Sequence, residues 1–307
     1  MSEGKQKNGL GERIRRKFDT PGVAGVIFSM PFIIGFLLFT MIPMLISLYY
    51  SFCDYDILNP PLWSGLYNFV KMFSTKDFYD SLKATMYFAF VSVPLKLIFA
   101  LLIALLLVKK SHMTGIYRAV YYIPSLLGGS VAVAALWKRM FATDGVLNTL
   151  LQKVGIDCSY AWISRPNTAI WVLVLLTVWQ FGSSMLIFLS SLKQIPQSLY
   201  EAGKVDGANS FKCFWKITLP MLTPTIFFNL IMQMMNGFLA FTQAAIITNG
   251  GPMNTTLFYA LYMYQQSFEY YKAGYGASMA WMMLIIIGMF TAIMFATKKL
   301  WVYDSDE

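Results

Sequence analysis

The sequence predicts an all-α, polytopic membrane protein with six transmembrane helices. Of its 307 residues, 57% are hydrophobic and only 13% are charged, whereas soluble domains carry about 25% charged residues. Six apolar runs are each close to or longer than the ~20 residues that a helix needs to cross a bilayer. They lie at 23–50, 84–108, 119–136, 168–192, 222–247 and 276–297. No soluble domain interrupts them.

The distribution of Lys and Arg predicts the orientation of the chain. One of the two sets of segments between the spans holds 15 of the 24 basic residues, although it is shorter than the set on the other side of the membrane. This set comprises 1–22, 109–118, 193–221 and 298–307. Basic residues are enriched on the cytoplasmic side of membrane proteins. We therefore expect a cytoplasmic basic tail at 1–22, a six-span membrane domain at 23–299 with a cytoplasmic loop at 193–221, and a cytoplasmic tail at 300–307. This placement accounts for the net charge of +9 without a nucleic-acid partner.

The cysteines and the histidine do not form a metal-binding pattern. Cys53, Cys158 and Cys213 lie far apart, and His112 has no ligand partner nearby in sequence. Cys53 and Cys158 both fall in expected external loops, where either a disulfide or two free thiols would fit. We expect no metal and no cofactor in this chain.

The fifth apolar run carries a polar stripe. Thr225, Asn229, Gln233, Asn236 and Gln243 recur at spacings that place them on one helical face. Amides in hydrocarbon persist where they bond to neighbouring helices or line water. The stripe is therefore expected to face the interior of the bundle, either as a pathway or as polar contacts between helices.

The fourth apolar run repeats this pattern with Thr177, Gln180, Ser184 and Ser191, and Trp179 stands beside Gln180. Neutral amides, hydroxyls and an indole suit a sugar, since they offer hydrogen bonds and a stacking surface without fixed charge. We expect these two polar faces to flank one pathway.

Charged residues are nearly absent from the expected spans. None of the 15 Asp and Glu residues falls inside one, and the only basic residue there is Lys96, two residues after Pro94. Proton-driven carriers usually need a buried carboxylate or histidine relay. The absence of such groups from the spans disfavours a secondary carrier. Lys96 could bind backbone carbonyls freed by the proline, a partner subunit, or the substrate.

The loop at 193–221 contains YEAGKVDGANSFKCFWKITLP, from Tyr200 to Pro220. We expect a short helix over 197–206 that begins after Pro196 and ends at Gly207. Ser210 can cap a second short helix over 211–217, which would end before the chain returns to the membrane. The first helix carries Leu199, Ala202 and Val205 on an apolar face, which suits docking into a partner protein or, alternatively, lying on lipid.

This loop resembles the EAA motif of binding-protein-dependent ABC importers, with Glu201, Ala202, Gly207, Ile217, Leu219 and Pro220 in the motif positions and Gly203 in place of the second alanine. The resemblance implies a type I ABC importer permease fold. It implies contact with the ATPase subunit through Tyr200, Glu201, Ala202, Gly203, Asp206, Gly207, Ala208, Leu219 and Pro220. We expect Gly203 to keep the helix surface small where that partner approaches. The sequence lacks G-x-x-x-x-G-K-[ST], so ATP and Mg²⁺ would bind to the partner.

The stretches PFIIGFLLFTMIPMLISLYYSFCDYD and TNGGPMNTTLFYALYMYQQSFEYYKAGYGASMAW resemble carbohydrate-uptake permeases of the maltose and glycerol-3-phosphate type, specifically the first of their two permeases. The resemblance implies a heterodimer with a second permease, an ABC ATPase dimer, an external solute-binding protein, and a sugar imported across the cell membrane of a bacterium or archaeon. It implies substrate contacts at Trp179, Gln180, Ser183, Asn236, Gly237 and Ala240, although the maltose-type protein has asparagines where Gly237 and Ala240 stand. With the polar stripes, the expected pathway is Trp179, Gln180, Ser183, Ser184, Asn229, Gln233, Asn236, Gly237, Ala240 and Gln243.

Three other functions stay open at this point. A glycerol-phosphate or polyol-type cargo would favour basic residues near the pathway, and the spans offer only Lys96. A secondary carrier would need the missing carboxylates. A scaffold without transport activity would not need polar stripes on two spans.

Overall fold

The computed structural model describes residues 21–108, 113–156 and 159–303. Within these ranges the chain is helical apart from its loops and one antiparallel pair of two-residue strands, β1 (Cys53–Asp54) and β2 (Leu62–Trp63). The α-helices are α1 (Pro21–Phe36), α2 (Ile42–Ser51), α3 (Tyr67–Ser74), α4 (Lys76–Leu107), α5 (Thr114–Leu127), α6 (Val131–Met140), α7 (Val146–Lys153), α8 (Pro166–Trp179), α9 (Gly182–Gln194), α10 (Gln197–Val205), α11 (Ser210–Cys213), α12 (Leu219–Phe238), α13 (Tyr259–Tyr264) and α14 (Ala273–Trp301). π-helical turns occupy Leu37–Met41, Phe214–Thr218, Ala244–Thr248 and Gln265–Glu269.

Four of the six expected spans are continuous helices in the structure. They occupy Phe28–Ser51, Lys76–Leu107, Ser210–Phe238 and Ala273–Trp301. α4 begins at Lys76, well before the apolar run at 84–108. Hydropathy did not detect the first two turns of this helix because they are polar. All four are long and apolar enough to cross a membrane.

The third expected span, 119–136, is not one straight helix. α5 and α6 meet at an angle of 98° around Gly128, Gly129 and Ser130. Two consecutive glycines interrupt a helix at low cost, and the Ser130 Oγ accepts a hydrogen bond from the Val133 N–H at 3.2 Å, which starts a new helix. If the pair is counted as one broken span, the predicted number of spans is unchanged, but this span is bent rather than straight.

The fourth expected span, 168–192, is also broken. α8 and α9 meet at 43° on either side of Gln180, and together they are long and apolar enough for one span. With both bent pairs counted, the described residues provide up to six spans. The expected six-helix membrane domain therefore includes two spans that bend at polar positions.

The fifth expected span, 222–247, is too long at its carboxyl end. Its helix ends at Phe238, and the chain resumes helical structure only after Phe241. The break follows Gly237, whose carbonyl accepts a hydrogen bond from the Ala240 N–H at 3.3 Å. The polar stripe of this span is thus divided between α12 and the residues beyond its end.

α4 lies at the centre of the bundle. It packs against α8, α9, α12 and α13, and Phe88, Val93 and Ala100 on it are completely or almost completely buried. α2 packs against α14, but the most apolar window of Phe28–Ser51 buries none of its residues within the chain. Apolar side chains exposed in this way are what lipid or a neighbouring membrane subunit would cover.

Several sequence-based expectations concern residues outside those that the structure describes. These are the basic tail except for its last two residues, His112, Cys158 and the last four residues of the tail at 300–307. Cys53 is described and is buried, and its thiol donates to the Tyr49 carbonyl oxygen at 3.4 Å.

Candidate functional site

A polar cavity of about 440 Å³ lies where the broken helices meet the centre of the bundle. Seven residues expected on the pathway line it, and they come from the break between α8 and α9 and from the end of α12 and the residues beyond it. These residues are Gln180, Ser183, Gln233, Asn236, Gly237, Ala240 and Gln243. The structure brings the two polar faces to one cavity, and Thr177 and Lys96 line it as well.

Hydrogen bonds across the two helix breaks hold the wall of this cavity. The Gln180 side-chain amide donates to the Gly128 carbonyl oxygen at 2.9 Å. The Ser125 hydroxyl donates to the Gln180 carbonyl oxygen and accepts from the Ser183 N–H, both at 3.0 Å. Backbone groups released by the bends therefore find partners inside the bundle, as non-helical backbone at membrane depth requires.

Gly128 makes this contact possible. A Cβ on Gly128 would overlap the Gln180 side chain. Gly128, Gly129 and Ser125 line the cavity, and none of them was expected on the pathway. The signal that identifies the two glycines is the sequence Gly128-Gly129-Ser130 inside an apolar run, which marks a break rather than a straight span.

Lys96 projects from α4 into the cavity. Its Nζ donates a hydrogen bond to Gln233 Oε1 at 2.8 Å, and only 8% of the residue is exposed. Of the alternatives that the sequence left open, the structure does not pair Lys96 with a carbonyl freed by Pro94. It joins α4 to α12 instead.

Three expected pathway residues lie elsewhere. Trp179 packs against Trp137 with ring centroids 5.6 Å apart. Ser184 and Asn229 are completely buried, and Ser184 Oγ and Asn229 Oδ1 have no hydrogen-bond partner among the described residues. Ser184 and Asn229 therefore lie between helices rather than on the cavity wall, whereas Trp179 is partly exposed beside α6.

The deeper part of the two stripes joins helices directly. Ser191 on α9 and Thr225 on α12 share a hydrogen bond between their hydroxyl oxygens at 2.7 Å. The alternative interpretation of the stripes, polar contacts between helices, therefore holds at this level of the bundle, and the cavity occupies the other level.

Gly237 lines the cavity but is also a packing residue. A Cβ at this position would lie 3.2 Å from Ala89 Cβ and 3.3 Å from Val93 Cγ2 of α4. An asparagine at this position would therefore require α4 and α12 to move slightly apart. Ala240, just after the end of α12, is also buried.

The helix Ser210–Phe238, called the long helix below, starts within the loop at 193–221. This loop begins, as expected, with a short helix. α10 starts after Pro196, and Gly207 has a positive φ of 72°. The Ala208 N–H donates to the Gly203 carbonyl oxygen at 2.8 Å, and the Gly207 N–H donates to that of Lys204 at 3.0 Å. This pair of bonds is a Schellman motif, which ends the helix at a glycine.

The second half of the loop differs from expectation. Asn209, not Ser210, caps the next helix, because its Oδ1 accepts from the Lys212 N–H at 2.9 Å. That helix does not stop before the membrane but continues without a break through the π-helical turn at Phe214–Thr218 into α12. The π-helical turn lies just before Pro220, which has no N–H to donate to a helical hydrogen bond.

Gly203 has a contact within the chain that the sequence did not predict. A Cβ on Gly203 would lie 3.1 Å from Ile217 Cδ1, so its small size allows a close contact within the chain. The Tyr200 hydroxyl shares a hydrogen bond with that of Thr218 at 2.9 Å. α10 is therefore attached to the base of the long helix that leads to the cavity.

The outer surface of the loop exposes both charged and apolar side chains. Glu201, Ala202, Asp206 and Gly207 are exposed, as are the apolar residues that surround them, Leu199, Val205, Phe211 and Trp215. Val205 is 89% exposed and Phe211 73%. A short helix with this composition suits the groove of a partner protein.

The described residues contain no cluster of three or more His, Cys, Asp and Glu side chains that could hold a metal ion. The site has two parts. One is a polar cavity whose lining carries a single charged residue, Lys96, and the other is the exposed loop. The helix Ser210–Phe238 connects them, and its rise of 1.5 Å per residue places Gln233 about 35 Å from Ser210.

Comparison with known proteins agrees with this arrangement. Residues 23–300 match the family model described as "Binding-protein-dependent transport system inner membrane component". The chain is 51% identical over 296 residues to the probable ABC transporter permease protein YesP of Bacillus subtilis (strain 168), covering 95% of this chain and 96% of that protein. It is 31% identical to the probable starch degradation products transport system permease protein AmyD of Thermoanaerobacterium thermosulfurigenes, covering 93% of this chain and 97% of that protein.

A solved structure shares the fold. The crystal structure of a bacterial ABC transporter involved in the import of the acidic polysaccharide alginate contains a chain that matches 94% of this one and 99% of itself, with a TM-score of 0.79 and 20% identity. This match confirms the all-α fold expected from the sequence, and the family model and the relatives confirm the expected resemblance to ABC permeases.

Proposed function

This chain belongs to the family of binding-protein-dependent transport system inner membrane components, and on that premise we propose that it is the permease subunit of an ATP-driven importer of saccharides. The observation that carries the proposal is the single helix Ser210–Phe238, which joins an exposed loop to a polar cavity among the candidate membrane spans. The family leaves no support for a secondary carrier or a scaffold.

The cavity supports a saccharide as cargo. Its wall presents the amide side chains of Gln180, Gln233 and Asn236 and the hydroxyls of Ser183 and Thr177. Such groups donate and accept hydrogen bonds as sugar hydroxyls do. The relatives point the same way, since one is named for starch degradation products and another, from Rhizobium radiobacter, for lactose.

The partners follow from the family. We assign the second half of the pathway to a second permease, and cargo capture to an external solute-binding protein. ATP and Mg²⁺ are assigned to an ABC ATPase dimer, so this chain is not itself an enzyme and carries no cofactor. We place it as a multi-pass protein in the cell membrane of a bacterium or archaeon, with both termini cytoplasmic.

The geometry supports a simple route for coupling. Closure of the ATPase on ATP would move α10, and the contacts of Gly203 and Tyr200 with the base of the long helix would pass this movement to Ser210–Phe238. Gln233 and Asn236 lie on the cavity end of the same helix. A tilt of this helix would change the shape of the cavity, as alternating access between inward-open and outward-open states requires.

The test is the recovery of partners with the tagged chain after gentle solubilisation of its native membrane, measured by mass spectrometry. We expect an ABC ATPase and a second six-span permease. Glu201→Ala and Gly207→Asp should each reduce recovery of the ATPase and leave that of the second permease unchanged. A Cβ on Gly207 would meet no atom within 4 Å, but the φ of +72° strains any side chain there.

Matched controls lie away from α10. Glu269→Ala removes an exposed carboxylate, and Gly155→Asp changes a glycine with φ of +85° that also has open space around it. Both should retain the ATPase. Recovery of the chain alone, in a detergent that keeps another ABC importer intact, would contradict the proposal.

A further inference from the structure

Lys96 is the only charged side chain of residues 21–108, 113–156 and 159–303 that is more than nine-tenths buried. It sits on α4 at the wall of the polar cavity. A buried ammonium loses the hydration that stabilises it in water, so such a residue is rare in a membrane domain unless it is paired. What it pairs with therefore bears on what the cavity accepts.

The pairing of Lys96 within the chain is incomplete. Its Nζ donates one hydrogen bond, to the neutral Gln233 Oε1 at 2.8 Å. An ammonium carries three N–H donors, and in the described part of the chain neither of the other two has a partner. No Asp or Glu lines the cavity, and the ion pair formed in those ranges is on the surface, between Arg139 and Asp144.

The hydrogen bond with Gln233 also fixes where the charge points. It holds the flexible lysine side chain against α12, on the wall that carries Gln233 and Asn236. The rest of the polar lining is neutral. The cavity thus combines groups suited to sugar hydroxyls with one cation that has two free donors and no counter-charge.

We propose that the cargo is an acidic saccharide, and that Lys96 binds the carboxylate of a uronic acid residue in the cavity. This inference rests on the proposed importer function and specifies its substrate class. The carboxylate supplies the missing counter-charge and accepts the two free N–H donors of Lys96, while the amides of Gln180 and Asn236 bind ring hydroxyls. Charge-assisted bonds of this kind are the stronger ones in a site of low dielectric.

The experiment uses the complete complex, purified with its native partners and binding protein and reconstituted in proteoliposomes. The probes are trimers of galacturonate, glucuronate and mannuronate, each offered as the free acid and as the C6 methyl ester. A third form of each probe is the corresponding hexose trimer, which has no carboxylate and carries a single 6-phosphate. ATP-dependent uptake is quantified by mass spectrometry for the wild-type complex and for Lys96→Gln, Lys96→Arg and Lys299→Gln.

We expect the wild-type complex to take up at least one free acid about tenfold faster than its ester, because only the acid satisfies the ammonium. Lys96→Gln should lower uptake of that acid by about tenfold or more and leave uptake of the ester unchanged. Lys96→Arg should retain most of the activity, since it keeps the charge. Lys299 is exposed near the end of α14, so Lys299→Gln removes the same charge without effect.

Other outcomes would overturn the inference. Dependence on Lys96 for the 6-phosphates but not the acids would assign the anion to a phosphate ester. An equal loss for every probe in Lys96→Gln, or loss of the second permease from that complex, would make Lys96 structural. An intact complex that prefers esters, or takes up no member of the panel, would refute the acidic cargo alone, whereas absence of an ATPase from the wild-type complex would refute the importer function.

Discussion

At the scale of single residues, Gly237 shows how a cavity residue can be fixed by packing. Its place on the wall depends on close approach of α4, since a Cβ would meet Ala89 and Val93 at 3.2 and 3.3 Å. From the sequence resemblance alone, Gly237 is a substrate-contact position at which glycine stands in place of asparagine. The structure gives a different reason for the glycine, which is the distance between two helices.

Gly237→Leu should therefore destabilise the protein. The added side chain would force α4 and α12 apart, and overpacking of this kind costs about 1–3 kcal/mol. We expect a lower midpoint of thermal unfolding, measured in detergent by the loss of the monodisperse peak on size-exclusion chromatography after heating.

The matched control is Gly288→Leu. Gly288 lies in α14 and has nothing within 4 Å of a Cβ position, so the same substitution should leave the thermal midpoint almost unchanged. Equal midpoints for the two variants would show that the α4–α12 contact is looser than the structure describes.

At the scale of elements, hydropathy predicted where the spans lie but not their shape. The runs at 119–136 and 168–192 are uninterrupted in hydropathy, yet each holds a bend, of 98° and 43°. The bends depend on hydrogen bonds between elements far apart in sequence, such as that between Gln180 and Gly128. A window average records the apolar content of a segment and contains nothing about those partners.

The candidate site was predicted to a similar extent. Helical periodicity found Gln180, Gln233 and Asn236, because side chains three or four residues apart share a face. It could not separate them from Asn229, which lies on the same face of α12 but is buried at a different level. Ser125 and Gly128 were missed because their role comes from the break itself.

The amino end of the long helix offers a test of one element. Asn209→Ala removes the side-chain oxygen that accepts from the Lys212 N–H at 2.9 Å, and loss of such a cap costs about 1 kcal/mol. We expect faster amide hydrogen exchange over 210–213, measured by mass spectrometry on the purified complex, while exchange deeper in α12 is unchanged.

Asn209→Asp provides the control for this prediction. Its carboxylate keeps the capping oxygen and favours the positive end of the helix dipole, so exchange over 210–213 should stay close to that of the wild type. If Asn209→Asp exchanged as fast as Asn209→Ala, the cap would not be what holds the first turn of this helix.

At the scale of the whole molecule, the two functional surfaces are separated along one helix. Ser210–Phe238 has 29 residues, so it extends about 43 Å, more than the ~30 Å thickness of the hydrocarbon. We therefore predict that the exposed loop at its amino end and the segment that follows its carboxyl end face opposite sides of the membrane. The excess of Lys and Arg around the loop predicts that its side is cytoplasmic.

Two exposed positions test this orientation directly. Val205 on α10 is 89% exposed, and Met253, in the segment after Phe238, is 87% exposed. In a background of Cys53→Ser, Cys158→Ser and Cys213→Ser, we expect a membrane-impermeant maleimide to label Met253→Cys in intact cells and Val205→Cys only after permeabilisation. The two positions are almost equally exposed in this chain, so in cells that lack the partner ATPase, which would otherwise cover α10, a difference in labelling reports the side of the membrane rather than accessibility. Labelling of Val205→Cys in intact cells would place the loop outside, where no ATPase could reach it, and would contradict both the orientation and the proposed coupling.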